Sequence, residues 1–185
     1  DEPLTSLDTE TAADVRALLH QQLAATGTTA VVAGHDAVDA VALASRLVVL
    51  EAGLVTQSGP VRSVLAAPAT RFAAAVAGLN RVPGRVDAAT WRAGNLELPH
   101  PGAARDVAAV FRPSDVRVSD GPAQGAGAWM ARIVRLEQTP AGVRVRTADP
   151  DVAVDVTADR AAGLAPGAPI ALRVALADVR FVAEP

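Results

Sequence analysis

Apolar positions recur at helical spacing near the start of the chain, where Ala12, Val15, Leu18, Leu19 and Leu23 share one stripe. Asp8 or Thr9 is placed to cap this helix, and Gly27 to end it. The β-branched run Thr28 to Ala33 has the length of one buried strand. Gly34-His35-Asp36 follows, with Asp36 at the cap of a second helix through Val38, Val41 and Leu43. Arg46 to Glu51 reads as a strand, Ala52-Gly53 as a turn, and Leu54-Val55-Thr56 as the returning arm of a hairpin. Gly59-Pro60 opens a short helix that Pro68 stops, and Arg71 to Ala77 forms another before Gly78.

The texture changes near residue 80. Short alternating segments follow, cut by Gly and Pro: Arg85 to Asp87, Val107 to Phe111, Val116 to Val118, Ala131 to Leu136, Val143 to Thr147, Val152 to Val156, Ile170 to Val174 and Val179 to Val182. Strands at roughly ten-residue spacing predict a small barrel or sandwich. Ser119 to Gly127 is the most linker-like stretch and reads as a loop inside this β region.

Composition narrows the function classes. The absence of cysteine among the 185 residues excludes disulfides, thiolate metal sites and cysteine nucleophiles. All 17 basic residues are arginine, and with 20 acidic residues the formal net charge is −3. That balance argues against a general nucleic-acid binder, which needs a basic face. No apolar run reaches the roughly 18 residues of a membrane span, and Asp1-Glu2-Pro3-Leu4 has no signal-peptide character. A soluble, cytoplasmic chain is the expectation.

Candidate chemistry lies at the start. Asp1 and Glu2 are adjacent carboxylates, a weak signal by themselves. The run Asp1-Glu2-Pro3-Leu4-Thr5-Ser6-Leu7-Asp8, followed by the later Gly34-His35-Asp36, resembles the ATP-binding subunits of ABC transporters over residues 1–80. In that family an apolar strand ends in Asp-Glu-Pro, a Ser-x-Leu-Asp turn follows, and a later strand delivers a histidine. By this resemblance Asp1 holds Mg²⁺ of MgATP through water, and Glu2 polarises the hydrolytic water as catalytic base. Ser6, Leu7 and Asp8 form the turn touching the opposite subunit, and His35 is the catalytic switch that hydrogen-bonds the γ-phosphate. Asp8 also suits the N-cap role. His20 reads as solvated and His100, between two prolines, as a loop residue, neither with a role. The Gly-rich phosphate loop, glutamine loop and Leu-Ser-Gly-Gly signature are absent from this sequence. The expectation is therefore the C-terminal part of a longer ATPase, inactive by itself.

The β half resembles the regulatory domain of importer ATPases. Phe111-Arg112-Pro113-Ser114-Asp115-Val116 resembles that domain's strand entry, and Gly163 to Ile170 its Leu-x-x-Gly-x-x-Val segment. Arg71-Phe72 with Val76 to Asn80, and the run from Val156-Thr157 to Gly167, resemble the molybdate importer branch with its oxyanion-binding barrel. Two positions depart from that barrel: Ala175 and Ala177 stand where its lysine and threonine would lie, and its Ser-Ala-Arg-Asn start is not recognisable around Gly127 to Arg132. Arg173 or Arg132 can replace the lost cation only by turning into the same pocket. Tight molybdate binding by residues 81–185 is therefore not expected, and a packing or dimerising barrel is. Asp149, Asp151 and Asp155 lack the spacing of a calcium loop and read as solvated. Trp91 and Trp129 have too few aromatic companions for a nucleic-acid platform and read as core or subunit-contact residues.

These resemblances imply an α/β C-terminal portion of a RecA-like nucleotide-binding domain over residues 1–80, carrying the Walker B, D-loop and H-loop motifs. An all-β, OB-like barrel of the TOBE/MOP kind follows over residues 81–185. The implied function is ATP hydrolysis energising an ABC importer, molybdate being the first choice of cargo. The ATPase of another oxyanion or sugar importer, an oxyanion-sensing barrel protein, and a purely structural domain pair are the alternatives. The importer reading implies a transmembrane permease partner, a homodimer of ATPase subunits, a place on the inner face of the cell membrane, and no nucleic acid.

Overall fold

The computed structural model describes residues 1–103 and 105–184. The chain divides into two compact units, Asp1–Ala77 and a second that begins at Gly78.

The first unit opens with a turn in which Leu4 is buried, then the helix α1, Thr9–Thr26. Asp8 caps α1 by accepting from the Thr11 N–H, and Gly27 ends it in the left-handed conformation that glycine adopts at least cost. Asp36 caps α2, Ala37–Leu43, through the Val38 N–H at 2.7 Å. Arg16 on α1 pairs with Asp39 on α2. β1 (Arg46–Glu51) and β2 (Leu54–Pro60) form the expected hairpin, the second strand reaching farther than alternation alone indicated. α3 (Val61–Ala66) and α4 (Arg71–Val76) follow, with Val49, Val64 and Ala73 as the small core. Thr70 caps α4 and donates to Glu51 Oε1 at 2.6 Å, which also accepts from Thr56 at 2.7 Å. The Gln57 amide bonds the backbone at Ala67 and Ala69, holding the loop between α3 and α4.

The run Thr28 to Ala33 corrects an expectation: it belongs to no strand. Val31 is 97% exposed, and the Ala33 carbonyl at the end of the run accepts from the Glu2 N–H at 2.8 Å. A buried strand needs partner strands on its edges, and only the hairpin β1–β2 is paired in this unit.

The described part of the second unit is all-β apart from one turn of α-helix, α5 (Ala158–Ala161), and two 3-10 turns, Pro113–Asp115 and Leu176–Asp178. Its strands are β3 (Asn80–Asp87), β4 (Thr90–Ala93), β5 (Leu96–Pro99), β6 (Arg105–Phe111), β7 (Val116–Val118), β8 (Ala128–Thr139), β9 (Gly142–Ala148), β10 (Val152–Val156), β11 (Pro169–Val174) and β12 (Arg180–Ala183). They form two five-stranded antiparallel sheets, ordered β12-β6-β3-β4-β5 and β10-β9-β8-β11-β7. One core takes side chains from both, led by Trp91, Trp129, Phe111, Leu96, Leu98, Ile133 and Leu172. The Trp91 indole N–H donates to the Val107 carbonyl at 2.9 Å. Both tryptophans are thus core residues.

Two devices join the sheets. The Asn80 side chain on β3 donates to the Ala153 carbonyl at 2.8 Å and accepts from the Ala153 N–H at 2.7 Å on β10. Gly127 donates to the Glu97 carbonyl and accepts from the Val174 N–H, each at 2.9 Å. It does so at φ +75°, where a Cβ would lie 2.3 Å from the Val174 oxygen, so only glycine fits.

His100 lies in the loop after β5, as expected, and its ring is buried. It is 6% exposed, its ring edge-on to Phe181 with centroids 4.6 Å apart, and its Nδ1 is buried without a hydrogen-bond partner. A prolyl context marks a loop in sequence, but the ring that the loop tucks in leaves no periodic signal.

Candidate functional site

The predicted site residues lie in the first unit, on the opening turn and the loop before α2. Asp1, Glu2, Ser6 and Asp8 are exposed, as is His35. Glu2 holds φ +40°, a left-handed conformation that non-glycine residues seldom occupy. Such backbone outliers concentrate at functional positions. Its N–H is fixed by the Ala33 carbonyl, and its Oε2 accepts from the Thr5 hydroxyl at 3.4 Å.

The geometry brings two of these residues together across 33 positions of chain. His35 Nδ1 and Glu2 Oε1 are 3.1 Å apart, and the two side chains remain 63% and 49% exposed. In the tautomer with the proton on Nδ1, the imidazole donates to the carboxylate. A carboxylate beside a movable imidazole, both open to solvent, is a proton acceptor and a hydrogen-bond donor at one place. Asp1 and Ser6 share the opening turn but form no hydrogen bond with the Glu2 or His35 side chain.

Asp8 acts as the helix cap. Its carboxylate takes the Thr11 N–H at 3.0 Å and the Thr11 hydroxyl at 2.7 Å, and these bonds lower its pKa below the usual value.

The donor set suits a magnesium ion carried by a phosphate ligand. Mg²⁺ keeps several waters and takes one or two protein carboxylates beside substrate phosphates. Asp1 and Glu2 are two exposed carboxylates, and among the described residues no group of three or more His, Asp or Glu side chains forms a cage.

In the second unit, Ala175 and Ala177 are exposed positions on the connection between β11 and β12, not in a strand. Arg132 donates to the Gly167 carbonyl at 3.5 Å, and Arg173 lies elsewhere on the sheet, opposite Ala128 and Arg117. Asp155 is not merely solvated, because it holds Arg144 through two bonds at 2.7 and 3.0 Å. That pairing raises the Arg144 pKa further above its ordinary value. Sequence reasoning missed the Asn80 clamp and the Arg117–Arg173 juxtaposition, since cross-strand register leaves no mark in a single sequence.

No family model matches the chain. Its whole length aligns, at 34% identity, with the molybdenum import ATP-binding protein ModC of Mycobacterium tuberculosis strain H37Rv, covering 54% of that protein. The same figures hold for the protein of strain CDC 1551 / Oshkosh. The sn-glycerol-3-phosphate import ATP-binding protein UgpC of Brucella abortus biovar 1 is 33% identical over 74% of this chain and 38% of its own length. The chain spans about half the length of the curated relatives it matches. Among solved structures, the cytoplasmic molybdate-binding protein ModG with molybdate bound aligns with a TM-score of 0.47 at 17% identity, over 56% of this chain and 95% of that one.

Proposed function

We propose that this chain, related over its full length to the ATP-binding subunits of ABC importers, is the C-terminal part of the ATP-hydrolysing subunit of a molybdate importer. The full-length alignment with the molybdenum import proteins supports the cargo. The second reading, a glycerol-phosphate or sugar importer, is favoured by the shorter alignment with UgpC. In this proposal residues 1–80 are the end of a RecA-like nucleotide-binding domain, and residues 81–185 are a TOBE/MOP-like regulatory domain. A transmembrane permease and a second ATPase subunit are the partners, and the assembly sits on the inner face of the cell membrane.

The observation that carries the catalytic assignment is the meeting of Glu2 and His35 at 3.1 Å. Glu2 accepts a hydrogen bond from the attacking water and takes its proton. His35 releases Glu2 and donates to a γ-phosphate oxygen through a ring N–H. Asp1 would hold the metal through water, and Ser6 with Asp8 presents the turn to the opposite subunit. When bound, Mg²⁺ offsets the negative charge on the phosphate oxygens. Phosphoryl transfer depends mainly on such positioning and charge compensation, so one base, one donor and one metal relay suffice on this side of the site.

The test is Glu2→Gln in the complete subunit. The amide keeps the shape and cannot take a proton, so steady-state hydrolysis falls by about 10²-fold or more while nucleotide binding persists. A variant that keeps most of its turnover would remove Glu2 from the role of base.

A further inference from the structure

Two helices lead away from the paired residues. α1 begins at the Asp8 cap, at the end of the turn that carries Glu2, and α2 begins at the Asp36 cap, the residue after His35. The seating of α2 against α1 therefore bears on the distance between the His35 and Glu2 side chains.

Helices in contact are ordinarily held by an apolar stripe. Here that stripe is thin. α1 fully buries only Ala12, and α2 fully buries no residue, leaving Val38 and Val41 exposed. One polar link takes its place. Arg16 Nε donates to Asp39 Oδ1, and only 18% and 22% of the two side chains is exposed. Water screens a part-buried pair less than a surface one, so the contact holds more firmly. Among the described residues no other hydrogen bond or ion pair joins a side chain of α1 to α2. Asp39 stands in the first turn of α2, one turn beyond His35, so the link acts at the end of the helix that follows the histidine. A carboxylate there also suits the positive end of the helix dipole.

We propose that Arg16 and Asp39 are positioning residues for hydrolysis: their ion pair seats the first turn of α2 on α1 and so holds His35 at Glu2. The inference rests on the catalytic reading of Glu2 and His35. Neither Arg16 nor Asp39 forms a hydrogen bond with either of those side chains, so the effect passes through the helices. Without the pair, α2 keeps no side-chain bond to α1, and the loop before it shifts. Displacements of about 1 Å between reacting groups cost up to about 10²-fold in rate. The Glu2 N–H still holds the Ala33 carbonyl, so the loss is partial.

Steady-state hydrolysis by the complete subunit carrying Asp39→Ala or Arg16→Met tests the role. Both replacements are good helix formers, so the helical signal of this chain persists by circular dichroism. Each lowers kcat by about tenfold and leaves KM for ATP within about twofold. The double variant is no slower than the slower single one, because both changes remove the same pair. Asp39→Glu keeps the carboxylate and recovers most of the loss, while Arg92→Gln, which breaks an exposed pair in the second unit, changes neither constant. Glu2→Gln measured alongside separates the two readings. If it is inactive while Asp39→Ala and Arg16→Met keep their turnover, the positioning role is overturned and the catalytic reading stands. If Glu2→Gln keeps its turnover, both fall. Multiplied losses in the double variant, no recovery in Asp39→Glu, or a parallel loss of helical signal would each overturn the positioning role.

Discussion

Asp8 and Glu51 are carboxylates whose neighbours favour the ionised form. The Thr11 backbone and hydroxyl hold Asp8 below the usual carboxylate range, and the Thr70 and Thr56 hydroxyls do the same for Glu51. A depressed folded pKa means that the stabilisation is present above the unfolded value, near pH 4, and is lost as pH falls through the folded value. The first unit should therefore lose helical signal on acidification below about pH 4, followed by circular dichroism. Asp8→Asn retains a capping oxygen without a titrating proton. It is expected to flatten that pH dependence while leaving helicity at neutral pH unchanged. An unaltered acid transition in both Asp8→Asn and Glu51→Gln would contradict these two groups as its source.

At the scale of elements, the β unit depends on a contact that periodicity does not encode. Asn80 closes two short bonds onto the Ala153 backbone, both buried. Asn80→Ala leaves that N–H and C=O unpaired away from water, at a cost of about 3 kcal/mol. The expected result is a lower urea midpoint with an unchanged slope, and an unchanged midpoint would show that the clamp adds nothing. Other elements were legible beforehand. Asp8 and Asp36 stand as caps where the apolar stripe begins, and the hairpin turn at Ala52-Gly53 separates two alternating arms. The short strands β4 and β5 went unread, because four residues between turns show too little alternation to separate from loop. Thr28 to Ala33 has strand composition and no strand partner, which a propensity reading does not test. Site residues were legible as a linear pattern, while the approach of Glu2 to His35 required the loop before α2 to return to the opening turn.

At the scale of the whole molecule, the two units differ in how much they bury. The second unit has its own large core, whereas the first buries few side chains: Val31, Val38, Val41, Val48, Leu50, Leu54 and Val55 are all exposed apolar residues. No helix among the described residues is long and apolar enough to cross a membrane. The central claim is that hydrolysis at Glu2 drives molybdate import. The most direct measurement is uptake of labelled molybdate by cells whose only copy of the complete subunit carries Glu2→Gln. The account predicts that uptake at limiting molybdate falls at least tenfold, in keeping with loss of general-base assistance, while glycerol-phosphate uptake is unchanged. Undiminished molybdate uptake, or a loss confined to glycerol phosphate, would contradict it.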